Sequence, residues 1–574
     1  MQLTNQKAYS AAKKDALKLV KLCPKDSEVR FALAELQALL GDVEAAVRSY
    51  SIVCQSKVSI RSIAAEKAMR LCYEYGLNQL GLAPAEVLLK LNPNSVSANF
   101  FLGLFLSNLQ QFVSARAFLV KAVELDPSVE AYTNYCALSY VYTGQVGEAL
   151  ELLNSYLSEF GDKKGALIIR TTSSNYLDNL SELNVFDLHK QCGRYFESQY
   201  EVVDAISIKP DSKKLKVGYI SPNLFLHSVS FFFDAILDGY TRSRYEVYCY
   251  SDVSNPDHVT SSFKKKCDHW VDSGNLSDES LFEKIRDDGI DILVDLAGHT
   301  GKGRMPVFAK RAAPIQVTYL GYPNTTGLSR MDYRITDDWS DPEGMTDDYY
   351  TEQLIRLPGG FLCYSLIGSI PEVASFSLDH NKGVRFGSFN SLLKISSELM
   401  KIWANILKSV PKSTLFIKSK PFAEKVLREQ VWALFEGEGV SKSRVRLEGW
   451  AAEQSSHLKM YDNVDIHLDS YPYNGTTTTI EALLQGVPVV TLAGLNHRSR
   501  VGFSIMSQIG LEDLVANSED DYINVAVELA LDRVRLEGLR SSLRERVMNS
   551  SLMNQVRFVS ELEDAYEFML HSLE

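Results

Sequence analysis

The segment DIHLDSYPYNGTTTTIEALLQGVPVVTL at 465–492 concentrates the residue types that hold an anion. Its pattern reads as strand, polar turn, helix and strand, with Thr476 to Thr479 standing where the helix begins. A helix N-terminus carries unpaired N–H groups and partial positive charge, so it binds phosphate without a lysine. Gly475 lets the backbone approach closely and the hydroxyls of Thr476, Thr477, Thr478 and Thr479 add donors. Glu481 lies about one turn further along, within reach of a ribose. A lone threonine here would be an ordinary helix cap. Four in succession are poor helix formers unless their hydroxyls are used, so the turn is assigned to a nucleotide.

Other strand ends supply further chemistry. SPNLFLHSVS follows one strand and puts His227 on a loop, where an imidazole accepts a proton or hydrogen-bonds a sugar. AGHTGKGRM makes a tight turn that presents His299 and Thr300, with Lys302 and Arg304 just beyond. Either histidine, taken alone, is more often a plain loop residue. GYPNTTGLSRMDYRITD is too polar and long for a simple connection, which places Gly321, Tyr322 and Pro323 in a wall of the site. VRFGSFNSLLKIS sets Asn390, Ser391 and Lys394 directly after a strand, where one ammonium neutralises a departing pyrophosphate. Lys418 ends the next strand, as a second such cation or a solvated lysine. His457, in a helical stretch before the threonine turn, is a base-stacking ring or a partly buried helix residue. No Asp-x-Asp pair occurs in the chain. That disfavours a divalent metal and fits a diphosphate stabilised by helix dipole, hydroxyls and lysine.

These residues must be carried by parallel sheets. LKVGYI at 215–220, EVYCYS at 246–251, IDILVDL at 290–296 and IQVTYL at 315–320 alternate with helical stretches, as βαβ units do. After an irregular stretch near 340–380 come VRFGSF at 384–389, STLFIK at 413–418, DIHLDS at 465–470 and VPVVTL at 487–492. Two doubly wound, Rossmann-like lobes in tandem follow, with ligands beyond the carboxyl ends of the strands and the active site in the inter-lobe cleft. Apolar residues at helical spacing in 553–574 predict a final helix packed across the lobes.

The first 160 residues have a different period. A shift of 34, with one extra residue in the first step, superposes Gly41, Gly76, Gln110 and Gly144 at turns, and Ala46, Gly81, Ala115 and Ala149 further on. Pro24, Pro93 and Pro127 each precede a turn position by seventeen residues. This is the period of tetratricopeptide repeats, in which small residues let paired helices touch and proline closes the second helix. The clearest units are 95–127 and 129–160; 60–93 lacks some consensus residues, and 5–24 is half a repeat. Such an α-helical solenoid offers a concave groove for polypeptides, or a surface for homodimerisation. Residues 161–212 read as an adaptor of one or two helices.

At 574 residues and net charge −12, with basic residues scattered, the chain suits a multi-domain protein that binds neither nucleic acid nor an anionic membrane. Eight widely spaced cysteines without a CxxC pair, no apolar leader and no run of 18 apolar residues predict a reduced, cytoplasmic protein.

The segments LKVGYISPN, HSV, DILVDLAGHT, RAAPIQVTYLGYPNTTGL, FGSFNSLLKIS, LDSYPYNGTTTTIEAL and GVPVVTLAG resemble those of the O-GlcNAc transferase and SPINDLY family of protein O-glycosyltransferases. With the repeats, the resemblance spans most of the chain. It implies tetratricopeptide repeats over 1–160, the adaptor over 161–212, and a GT-B region with an acceptor-side lobe over 213–378, a nucleotide-sugar lobe over 379–550 and a terminal helix over 551–574. It implies inverting, metal-independent transfer of a sugar from a nucleotide diphosphate to Ser or Thr of a protein, with no cofactor. Lys394 would hold the diphosphate with Thr476 to Thr478, Glu481 would touch the ribose, His457 would pack on the base, and His227 would act near sugar and acceptor as base or positioner. The chain has Thr476 where animal O-GlcNAc transferases have histidine, Ser391 where they have glutamine, Gln454 and Met460 where they have lysine and arginine, and Asn223 where many relatives have aspartate. The threonine run and KSKPF are closer to SPINDLY, whose plant members use GDP-fucose. The expected donor is UDP-GlcNAc, with GDP-fucose the alternative; a scaffold that binds a nucleotide sugar without turnover is the non-enzymatic one.

Overall fold

The protein is described by a computed structural model over residues 2–56, 58–201, 214–373, 383–449 and 454–572. It divides into two units, one built on residues 1–166 and one on 167–574 apart from the short segment 423–428.

The first unit begins with helix Gln2–Leu22 and continues with four helix pairs: Ser27–Leu39 with Val43–Cys54, Arg61–Glu74 with Asn78–Leu91, Val96–Asn108 with Phe112–Leu125, and Glu130–Val141 with Val146–Phe160. All four turn positions found in the sequence are left-handed: Gly41 at φ 77°, Gly76 at 68°, Gln110 at 64° and Gly144 at 80°. Three are glycine because that region penalises a Cβ. Ala46, Ala115 and Ala149 are fully buried between paired helices, and a Cβ at Gly81 would stand 2.4 Å from the Phe105 ring. Pro24, Pro93 and Pro127 each fall two residues after a helix ends at Leu22, Leu91 and Leu125. No described helix is long and apolar enough to cross a membrane.

In the second unit, helix Glu182–Ser198 precedes a sheet of seven parallel strands: β1 Leu215–Ser221, β2 Tyr245–Ser251, β3 His269–Asp272, β4 Ile292–Asp295, β5 Ile315–Thr318, β6 Tyr333–Thr336 and β7 Gln353–Arg356, in the order β3-β2-β1-β4-β5-β6-β7. A second parallel sheet holds β8 Arg385–Ser388, β9 Thr414–Lys418, β10 Val445–Glu448, β11 Ile466–Leu468, β12 Val489–Leu492 and β13 Val515–Ala516, ordered β10-β9-β8-β11-β12-β13. Both sheets are buried apolar runs sandwiched by helices, as parallel strands require.

All eight expected strands form. Five others carry too little pattern to be read: β3 is a partly exposed edge, β13 has two residues, and β6, β7 and β10 are short and interrupted by polar side chains. The segment GYPNTTGLSRMDYRITD is therefore not a loop throughout; its Tyr333–Thr336 is a buried strand, and β7 lies inside the stretch taken as irregular. The expected boundaries at 212/213 and 378/379 lie outside the described residues. The final helix, Gln555–His571, does not bridge the lobes as expected but returns to the first one, where Tyr566 and Tyr219 share a hydroxyl hydrogen bond of 2.8 Å and Glu563 accepts from Thr241 N at 2.6 Å.

Candidate active site

Each sheet reverses its strand order beside its first strand, β1 against β4 and β8 against β11, and such switch points open a crevice at the strands' carboxyl ends. Residues after β1, β5, β8 and β11 line one cleft of about 300 Å³. His227, Val229, Phe232, Leu320 and Gly321 come from the first lobe; Asn390, Ser391, Lys394, Tyr473 and Thr476 to Thr478 come from the second.

The threonine turn is built from below by Asp469, at the end of β11. Its fully buried carboxylate accepts from Gly475 N at 2.7 Å, Ser470 N at 2.8 Å, Thr491 Oγ1 at 2.8 Å and Asn390 Nδ2 at 3.2 Å. The sequence showed only an aspartate closing a strand; its role is visible once its donors, drawn from three segments, are assembled. Asn390 Oδ1 in turn accepts from Thr478 Oγ1 at 2.7 Å. Gly475 sits beneath this network: a Cβ there would meet Thr478 Oγ1 at 2.6 Å, Thr479 Oγ1 at 2.7 Å and Asn390 Oδ1 at 2.8 Å.

Helix Thr477–Leu484 starts here, and Thr476 does not cap it with its side chain. Ile480 N bonds Thr476 O, so the N–H groups of Thr477 to Thr479 come before the first backbone bond of the helix. The buried hydroxyls of Thr477 and Thr479 have no partner among the described residues, and Thr477 lines the cleft. Lys394 stands beside this helix start, donating to Asn474 O at 2.8 Å with its ammonium 3.6 Å from the Tyr473 ring centroid. Burial lowers its pKa, opposed by the Asp469 carboxylate. Ser391 is exposed at the rim.

His457 and Glu481 are paired, Nε2 to Oε2 at 3.0 Å, and Lys418 contacts His457 Nδ1 from the end of β9. The His457 ring lies 6.0 Å from Phe389 and 5.7 Å from Tyr461. Lys418 is buried rather than solvated, and burial pushes its ammonium down to about 8 against the pull of Glu481 and Glu448.

In the first lobe, His227 Nδ1 accepts from Val229 N at 3.3 Å, and burial lowers its pKa. The ring is then neutral with its proton on Nε2, which makes it a hydrogen-bond donor rather than an acceptor of protons at that atom. His299, expected at the same mouth, lies elsewhere. It is 4 % exposed, its Nε2 bonds Thr326 O at 2.7 Å and its Nδ1 faces Cys192 Sγ at 3.9 Å, which spends one nitrogen on the segment after β5 and the other on helix Glu182–Ser198. Of the three expected wall residues only Gly321 lines the cleft. Tyr322 is buried, its hydroxyl held by His189 Nε2 at 2.8 Å and Asn175 Nδ2 at 3.0 Å, while Pro323 lines a separate small cavity with Glu182 and Arg498. Arg304 is paired with Asp252 and Asp278, and Lys302 donates to Ser254 Oγ at 2.7 Å. Among the described residues no group of three or more His, Cys, Asp or Glu is placed to hold a metal ion.

The model of glycosyl transferase family 41 matches residues 195–368 and 366–562, most of the two lobes. The chain belongs to glycosyl transferase family 41. A probable UDP-N-acetylglucosamine–peptide N-acetylglucosaminyltransferase SPINDLY from Hordeum vulgare is 40 % identical over 415 residues, covering 71 % of this chain and 44 % of that protein. The protein of that name from Solanum lycopersicum is 38 % identical over 413 residues, with the same two shares. The Arabidopsis thaliana protein named SEC is 31 % identical over 368 residues, 62 % of this chain and 37 % of its own. The chain thus spans less than half the length of these curated relatives. A mutant of the Thermobaculum terrenum O-GlcNAc transferase superposes with TM-score 0.81 at 32 % identity, covering 89 % of this chain and 98 % of that one. This family 41 member accordingly combines tetratricopeptide repeats with a GT-B region of two doubly wound lobes.

Proposed function

We propose that this protein is a protein O-glycosyltransferase that moves N-acetylglucosamine from UDP-GlcNAc to Ser or Thr hydroxyls by one inverting displacement that needs no metal. The observation that carries the reading is the convergence of Lys394, Thr476 to Thr478 and the N–H groups of one helix start on a cleft that His227 faces from the other lobe. In the reaction the acceptor oxygen attacks the anomeric carbon, its proton passes to an oxygen of the departing diphosphate or to water as the new bond forms, and the bond from that carbon to the β-phosphate oxygen breaks. Negative charge grows on the departing diphosphate, where preorganised N–H groups and an ammonium stabilise it. His227 donates Nε2–H to the sugar or acceptor and positions it. Glu481 takes the ribose and His457 the base, with Lys418 and Asn390 supporting them, and Ser391 closes the rim. His299 serves the fold of the first lobe rather than the chemistry.

The repeats supply the polypeptide-binding groove, with homodimerisation as their other use. Reduced, mostly buried cysteines suit a cytoplasmic setting.

The test is turnover by the purified protein with UDP-GlcNAc, UDP-glucose and GDP-fucose, a cell lysate as acceptor, and mass spectrometry to locate the sugar. N-acetylglucosamine on Ser or Thr supports the reading. Transfer from GDP-fucose alone replaces the donor. Nucleotide binding without transfer to any acceptor makes the protein a scaffold.

A further inference from the structure

A lysine on a four-carbon stem has many rotamers, and a diphosphate site needs its ammonium at one place. Lys394 is fixed first through its backbone: its N–H bonds Ser391 O at 2.9 Å, and the next residue, Ile395, pairs with Tyr471 in an isolated parallel bridge to the threonine turn. Its ammonium then has two neighbours on that turn, Asn474 O at 2.8 Å and the face of Tyr473, 3.6 Å from the centroid. Tyr176, from the segment before helix Glu182–Ser198, stacks on the Tyr473 ring at 5.5 Å and 19°. The Tyr473 phenol is pushed up to about 12 by burial, so the ring is neutral and its π face is what the ammonium meets.

We propose that Tyr473 is a positioning residue for Lys394, its ring backed by Tyr176 and holding the ammonium beside the start of helix Thr477–Leu484, where the donor's diphosphate arrives. This rests on the donor reading above. The carbonyl takes one N–H of the ammonium and the ring face a second direction, which leaves N–H for phosphate oxygens. The turn does not need the ring for its own shape: Ser470 Oγ donates to Tyr473 O at 2.7 Å, Asn474 N to Arg498 O at 2.8 Å, and Asn474 Nδ2 to Ser470 O at 2.9 Å. Replacing the side chain therefore removes the platform and keeps the loop.

The experiment compares wild type, Tyr473→Leu, Tyr473→Phe and Tyr176→Leu by calorimetry with UDP, GDP and the nucleosides uridine and guanosine. Tyr473→Leu weakens the diphosphate about tenfold, the scale of a desolvated cation–π contact, and leaves the nucleoside unchanged. Tyr473→Phe keeps the ring and recovers most of the loss, and Tyr176→Leu costs about threefold. In turnover, KM for the donor rises more than kcat falls. If Tyr473→Leu does not fold, Tyr176→Leu carries the test alone. Wild type that binds neither UDP nor GDP removes the donor reading and this proposal together. Wild type that binds a diphosphate no better than the leucine variant removes only the role of Tyr473, and equal losses for diphosphate and nucleoside do the same by marking general damage.

Discussion

Thr478 donates its hydroxyl to Asn390 Oδ1 at 2.7 Å, tying the first turn of the helix after β11 to the loop after β8. Asn390 passes the tie on to Asp469, and Asp469 holds the N–H of Gly475. Every member of this network is fixed by the next, so disturbance at one point moves the anion site.

Gly475→Ala is the sharpest probe of that network, because the added methyl would meet three polar atoms at 2.6 to 2.8 Å. Local repacking of such contacts costs about 1–3 kcal/mol. We expect nucleotide diphosphate affinity to fall at least about tenfold while the far-UV spectrum is unchanged. An alanine variant that binds UDP or GDP as well as wild type would falsify this picture of the turn.

Lys394→Ala is expected to lower kcat at least about a hundredfold, as loss of a charge-stabilising group does. In the intact protein the burial-lowered Lys394 and Lys418 ammonium groups, the latter at about 8, lose their charge as pH rises through that region. Donor KM should therefore be flat near pH 7 and climb above about 8. A donor KM independent of pH up to 9 would argue that Lys394 does not meet the diphosphate in its charged form.

Glu182 bridges to Arg498, Nη1 and Nη2 each 3.0 Å from a carboxylate oxygen, with the Arg498 side chain 2 % exposed. Asn496 adds a bond of 2.7 Å to the same carboxylate. Glu182→Ala leaves a buried guanidinium unpaired, a defect of about 3 kcal/mol. Thermal unfolding of the second unit should begin about 3 °C lower, and Glu182→Gln should recover part of it. Equal melting temperatures for wild type and the alanine variant would show that Arg498 finds another partner.

His189 and His299 are buried, and burial lowers them to about 3 and about 4. The unfolded chain binds their protons near the ordinary value of 6.5 while the folded one does not. Stability is thus fully present above 6.5 and falls as pH drops from there towards 4, by up to about 1.4 kcal/mol per histidine per pH unit. Denaturant unfolding at pH 7, 6 and 5 checks the sign. His299→Gln should flatten the dependence, and a slope unchanged in that variant would assign it to other groups.

The sequence by itself determined the elements whose signal is local. Gly41, Gly76 and Gly144 marked the repeat turns because a left-handed residue is a property of one position. Eight strands were legible because apolar runs between turns declare themselves, and the threonine run marked a helix start by its own composition. Tertiary structure decided what depends on partners distant in the chain. Asp469 became the support of the turn only when Asn390 and Thr491 were brought to it, and β6 became a strand only beside β5 and β7. His227 and His299 both stood on loops after strands, with nothing local to separate them. Folding set His227 on the cleft and buried His299 under the adaptor helix, because burial and hydrogen-bond partners are fixed by packing between segments rather than by neighbours in sequence.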